Sequence, residues 1–178
     1  SAAMLDPVFA NGQLLNCFAN DDSHRYEGEC GMSATMLNTN DRSVAGILRA
    51  IDEGRFYATQ GPEIRELSLT DGVLHIACSP AKYIIFYSNE VWIPNRTRAL
   101  EGQTSADYVV SPRESFVRVQ VVAEDGKSAW TSPIKLGQGW ARPQMLPQLA
   151  LPTTRTLSCQ MGATDQHREK IFSWCWSF

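Results

Sequence analysis

An aspartate and a histidine two residues apart, Asp22 and His24, follow the apolar run Cys17-Phe18-Ala19 and are preceded by a second carboxylate, Asp21. If that run is a strand, side chains at i and i+2 share a face, and a carboxylate oxygen and an imidazole nitrogen can be aimed at one divalent cation. A hydrolytic centre with two or three cations needs more ligands than this pair, and the chain holds only two further histidines, His75 and His167. The pattern therefore reads as part of a metal site that this polypeptide does not complete alone. Arg25, next to the motif, presents a planar fork suited to a phosphate; it can equally lie in solvent or pair with Glu27. Asp-x-His in a loop also has a plain reading, a turn whose side chains cap nearby backbone amides. Asp21 is either a partner that orients His24 or an Asx-turn residue.

These residues must be positioned by the elements around them. Leu14 to Ala19 reads as a buried strand, and a polar loop containing glycine runs from Asn20 to Gly31. Beyond it, Asn40 or Asp41 can cap a helix in which Val44, Ile47, Leu48 and Ile51 recur at helical spacing, and Gly54 suits a left-handed C-terminal cap. Gly54 to Pro62 then supplies aromatics for a core and a Gly-Pro corner. Phe56 and Tyr57 read as packing residues, although Arg55, Tyr57 and Thr59 could line the mouth of a barrel.

From Glu63 to Leu136 the signal is β throughout. Leu67 and Leu69 alternate with polar neighbours, Asp71-Gly72 is a type I′ hairpin signal, and Val73 to Cys78 returns. Tyr83 to Tyr87, Tyr108 to Val110 and the alternating Val117, Val119 and Val121 follow, with a second turn at Asp125-Gly126. About six short strands imply a small antiparallel sandwich. His75, between Leu74 and Ile76, points away from the apolar face. The remaining stretch, 137–178, has prolines at 143, 147 and 152 and an aromatic end, Ile171 to Phe178, and reads as an irregular, poorly ordered tail in which His167 lies among polar residues.

Composition bounds the rest. The 178 residues are 43% apolar and 20% charged, with a formal net charge of -3 that offers no basic surface for nucleic acid or an anionic membrane. No run approaches the roughly 18 apolar residues of a spanning helix, and there is no secretory signal pattern at the start. Five cysteines, at 17, 30, 78, 159 and 175, are odd in number and lack C-x-x-C pairs. They read as reduced thiols, which points to the cytoplasm. The sequon Asn95-Arg96-Thr97 carries no weight.

Taken together, the Asp21-Asp22-Ser23-His24-Arg25-Tyr26 segment, the capped helix, the segment Gly54 to Ile64 and the β region with Cys78-Ser79-Pro80 and Ala129-Trp130-Thr131-Ser132-Pro133-Ile134 resemble the C-terminal portion of PHP-domain proteins, the polymerase and histidinol phosphatase-like phosphoesterases. The likeness spans Leu14 to Ile134. It implies an α+β chain: residues 1–62 as the last strand and helix of a β/α barrel, residues 63–136 as an appended antiparallel β-sandwich, and the tail. It casts Asp22 and His24, matching the family's final Asp-x-His, as ligands of zinc, manganese or iron, and Arg25 as a phosphate contact. The reaction implied is phosphoester hydrolysis by metal-activated water, with a small phosphoester as substrate. The family's earlier His-x-His motif and its middle ligands are absent, and Thr59-Gln60-Gly61 stands where the family tends to show Ser-Thr-Gly. On this reading the chain is inactive without the missing barrel half, whether supplied by another polypeptide or lost. A lone barrel strand also exposes an unpaired edge and invites self-association. The competing reading is a non-catalytic β-sandwich interaction module that carries the motif as a relic.

Overall fold

The computed structural model describes residues 4–25, 27–99 and 101–137. The tail expectation, apart from Gly137, and with it His167, lies outside them. Two helices and ten strands form in the order α1 (Leu5–Ala10), β1 (Ala34–Leu37), α2 (Val44–Asp52), β2 (Phe56–Thr59), β3 (Ile64–Thr70), β4 (Val73–Ala81), β5 (Tyr83–Ser88), β6 (Thr97–Arg98), β7 (Gln103–Val109), β8 (Phe116–Val122), β9 (Ser128–Thr131) and β10 (Ile134–Lys135).

Every strand pair is antiparallel. The larger sheet runs β1-β2-β9-β8-β5-β6, with β10 also on β8, and the smaller runs β3-β4-β7. Local chemistry sets the hairpins. Asp71 and Gly72, both at positive φ (50° and 78°), make the tight turn between β3 and β4, and Gly126 at φ 83° serves the β8–β9 turn. Between β4 and β5 the chain changes sheet across one residue, Lys82, after a register shift between Ala77 and Ala81 bends β4.

Alternation then builds one core. Leu67, Leu69, Leu74, Ile76 and Tyr108 of the small sheet meet Ile84, Phe86, Val117, Val119 and Val121 of the large one in a single buried cluster. The Phe86 and Tyr108 rings stack across it at 4.7 Å. The Tyr108 hydroxyl donates to the buried Glu114 carboxylate at 2.6 Å, and the Ser111 amide donates to its other oxygen. That carboxylate is satisfied where isolation would be costly.

Among the described residues the barrel segment expected for residues 1–62 is not present, and the α+β reading with a partial β/α barrel is corrected to two antiparallel sheets with two short helices and no barrel closure. An apolar run becomes a strand only if a neighbour takes its backbone groups, and Leu14 to Ala19 has none. Residues 17 and 19 bond instead to hydroxyls: the Cys17 amide donates to Ser132 Oγ, and Ala19 exchanges bonds with Thr35 Oγ1. The sheet partner of β2 on that side is β1, which pairs Ala34 with Thr59 through Leu37 with Phe56. Strands from before and after residue 62 thus share one sheet, with β9 on the far side of β2. Tyr57, Ala58 and Thr59 are buried, so Tyr57 and Thr59 pack where a barrel mouth was expected, while Arg55 and Phe56 border a groove. The α2 helix forms as expected, but Ser43 is its N-cap, accepting from the Gly46 amide, while Asp41 accepts from the Ser43 amide. Gly46 is required there, since a Cβ would meet Asp41 at 2.4 Å.

The outer face of β8 is covered by α1, which the sequence did not announce. Phe9 packs edge-on against Phe116, with ring centroids 5.7 Å apart, and Arg118, only 3% exposed, donates twice to Asp6 at 2.8 Å. The guanidinium also lies 4.1 Å from the Tyr87 ring centroid.

Removing Asp6 leaves a buried cation without its partner. Asp6→Ala is expected to lower the unfolding free energy by about 3 kcal/mol, with part of the loss recovered in the Asp6→Ala/Arg118→Met pair; an unchanged urea midpoint for the single variant would refute the role of this clasp. Cys78 gives a chemical check on the core. Burial pushes its thiol up to about 11, so at pH 8 it is protonated and unreactive, whereas Cys30 is exposed. Iodoacetamide mapped by mass spectrometry should label Cys30 in the folded protein and Cys78 only after denaturation.

Candidate functional site

The loop from Asn20 to Gly31 is closed by its own acids. The Asp21 carboxylate accepts from the Gly31 amide at 2.6 Å and from the Ser33 amide at 2.5 Å, which ties the start of the loop to its end. Glu29 Oε2 accepts from the His24 amide at 2.8 Å and the Arg25 amide at 3.0 Å. Those two backbone bonds, with a smaller attraction to His24, hold the Glu29 carboxyl below the usual carboxylate range. Ser23 Oγ reaches the Glu29 carbonyl at 3.1 Å. Asn20 Oδ1 takes the Asp22 amide at 3.2 Å, an Asx-type turn, and Asp22 itself sits at φ 51°, a left-handed conformation that Asp tolerates better than most residues.

Asp21 takes neither of its two expected roles: its carboxylate accepts from amides ten and twelve positions along the chain, which is neither an Asx turn nor a bond to His24. The residues expected to hold a cation, Asp22 and His24, are both exposed in this loop, and neither side chain makes a hydrogen bond or ion pair among the described residues. The Arg25 guanidinium likewise has no ion pair there, with Glu27 or any other acid. Because Asp22 is left-handed, the loop and not a pleat sets how these side chains point.

Among the described residues, no group of three or more His, Cys, Asp or Glu side chains could hold a metal ion. Two hollows lie elsewhere: an open one lined by Gly61, Pro62, Ser79, Pro80, Glu124 and Lys127, and a narrower groove along Arg55, Phe56 and Ser132 to Lys135. Neither is lined by Asp22 or His24. Two donors of suitable chemistry do not fit a complete hydrolytic centre.

His75 is on the outer face of the small sheet, as its alternation requires. Sequence reasoning missed its partner: register sets it between Ser68 and Asp107, and its Nδ1 is 2.6 Å from Asp107 Oδ1. The acid lies 32 positions away along the chain, beyond any local signal. No helix among the described residues is long and apolar enough to cross a membrane. Comparison with protein-family models, curated proteins and solved structures gives no match.

The sign of the Glu29 shift makes the loop acid-sensitive. Its folded pKa is depressed, so its two amide bonds are fully present above the ordinary glutamate range and are lost as pH falls through the lowered value. The His24 and Arg25 amide signals in NMR should titrate together below that ordinary range, and Glu29→Gln should abolish the transition. A transition that survives the substitution would assign it to another group.

Proposed function

We propose that this chain is the C-terminal portion of a PHP-type metal-dependent phosphoesterase, in which the loop contributes Asp22 and His24 to a divalent cation, zinc, manganese or iron, whose other ligands come from a separate segment. One observation carries the reading. Within a loop whose neighbouring acids, Asp21 and Glu29, are taken up by backbone amides, the side chains of Asp22 and His24 make no hydrogen bond or ion pair among the described residues. A plain turn would use the Asp22 carboxylate as a cap; here Asn20 and Asp21 do that work. Arg25, without an ion pair among the described residues, is placed to meet a phosphoester oxygen. No chemical step is assigned to the chain by itself, because two donors cannot complete the centre.

A second reading, a non-catalytic β-sandwich interaction module with a relic motif, is favoured by the core, which closes between the two sheets without any contribution from the loop.

The readings differ on metal. Titrating Mn²⁺ into the purified chain should broaden the NMR signals of residues 22–25 before others, and His24→Ala should remove that effect. Loss of a residue that merely orients a ligand costs roughly 10–100-fold in affinity, so loss of the ligand itself should cost at least that. Turnover of a chromogenic phosphodiester is expected only when the chain is produced with any coding sequence that precedes Ser1 in its gene. Broadening that is absent, or centred away from the loop, would leave the interaction module.

A further inference from the structure

The segment before the loop, Leu14 to Asn20, belongs to neither sheet. Along Leu14 to Asn20, the amides at 17 and 19 point into the body, to Ser132 and Thr35. In extended backbone the N–H and C=O groups of alternate residues point to opposite edges. The even-numbered residues Asn16, Phe18 and Asn20 therefore turn theirs outward, and among the described residues those amides have no protein partner. The segment is fixed in place all the same: Phe18 stacks on the buried Phe56 at 4.5 Å and 14°. Leu15 and Phe18 are each about half exposed, at 52% and 54%. An ordered, uncharged run with an open edge and no proline or glycine is the kind of template on which another strand adds.

We propose that this edge pairs with the same edge of a second copy of the chain, antiparallel about a two-fold axis through Cys17. Self-pairing is geometrically closed, each copy offering the groups the other lacks. Antiparallel alignment is selected by charge. It places Asp21 of one copy beside the uncharged Gln13 of the other and keeps the two Asp21-Asp22 pairs at opposite ends, where a parallel alignment would stack all four carboxylates. Register follows from the amides already engaged. Because the Cys17 amide points into the body, residue 17 must occupy a non-hydrogen-bonded position opposite its own copy, with Asn16 hydrogen-bonded to Phe18 and Leu14 to Asn20 across the axis. The pairing forms roughly eight backbone bonds and sets Leu15 against Ala19 of the partner copy. It depends on the main chain of 14–20 and not on Asp22 or His24, so it stands or falls independently of the metal reading.

A non-hydrogen-bonded antiparallel pair has Cα atoms about 4.5 Å apart, inside the disulfide range of about 4.4–6.8 Å. Mild copper-phenanthroline oxidation should therefore give a covalent dimer whose non-reducing peptide map joins Cys17 to Cys17, and light scattering should report a dimer before oxidation. Asn16→Pro removes an outward amide while sparing both body contacts, and should yield a monomer with unchanged far-UV dichroism. A monomeric parent, or a dimer that survives Asn16→Pro and cross-links elsewhere, overturns the proposal. Should that variant fail to fold, hydrogen exchange of the parent decides: protection at amides 16 and 18 that rises with protein concentration supports the pairing, and protection independent of concentration refutes it.

Discussion

A strand whose two faces are both shielded from water must find partners for everything it carries on each face. β8 is that strand. Its Val117, Val119 and Val121 face the shared core, while Phe116 and Arg118 are buried on the other side. The inner face needs only apolar neighbours, which the small sheet supplies. The outer face includes a guanidinium, and a cation removed from water is tolerable only with an anion and good geometry. Asp6 on α1, with Tyr87 beneath the guanidinium, meets that condition, and Phe9 seals the position beside it. This explains how a six-residue helix, too short to be stable by itself, holds its place.

The same demand for partners divides the residues of the loop. Backbone amides at a tight reversal need acceptors, and short carboxylates on the loop are the nearest ones. Asp21 and Glu29 are consumed in this way, and Asn20 takes the amide at Asp22. What is left over is informative because the structural requirement has already been met: an exposed carboxylate, an imidazole and a guanidinium that make no hydrogen bond or ion pair among the described residues, with only a minor attraction of His24 to Glu29. Leftover donors in an open loop form a corner and not a centre, which is consistent with chemistry completed by residues from elsewhere.

Those parts whose cause is local were legible in the sequence. The Asp71-Gly72 and Asp125-Gly126 turns, the alternation of Val117 to Val121 and the spacing of α2 each follow from neighbours within a few positions. The misreadings share the opposite trait. Leu14 to Ala19 has the composition of a strand, but whether a strand forms depends on a partner that composition does not reveal. β1, four residues of mixed character, exists because β2 lies beside it. Arg118 has the alternation of a solvent-facing residue and is buried because of an aspartate 112 positions away. His75 was correctly placed on an outer face, yet its bond to Asp107 needed the β4–β7 register. The loop acids were visible as candidates, but which of them the backbone would use could not be read without the closure from residue 21 to residues 31 and 33.

Core and loop are therefore nearly independent, and this bears on how the chain can work. The cluster between the sheets includes no residue from 13–31, and the loop's closing bonds run to its own backbone and to Ser33. Asp22, His24 and Arg25 are exposed and their side chains make no hydrogen bond among the described residues, so the stability cost of substituting them should be small, within the range of ordinary surface changes. The loop can therefore vary without endangering the fold. The extended residues 14–20 join the two, anchored to the sandwich through Ser132, Thr35 and Phe56 and leading directly into the loop. Any strand that adds along that edge would stiffen the approach to Asp22 and His24, so ordering of the edge and ordering of the loop should be coupled through the main chain between Phe18 and Asp22.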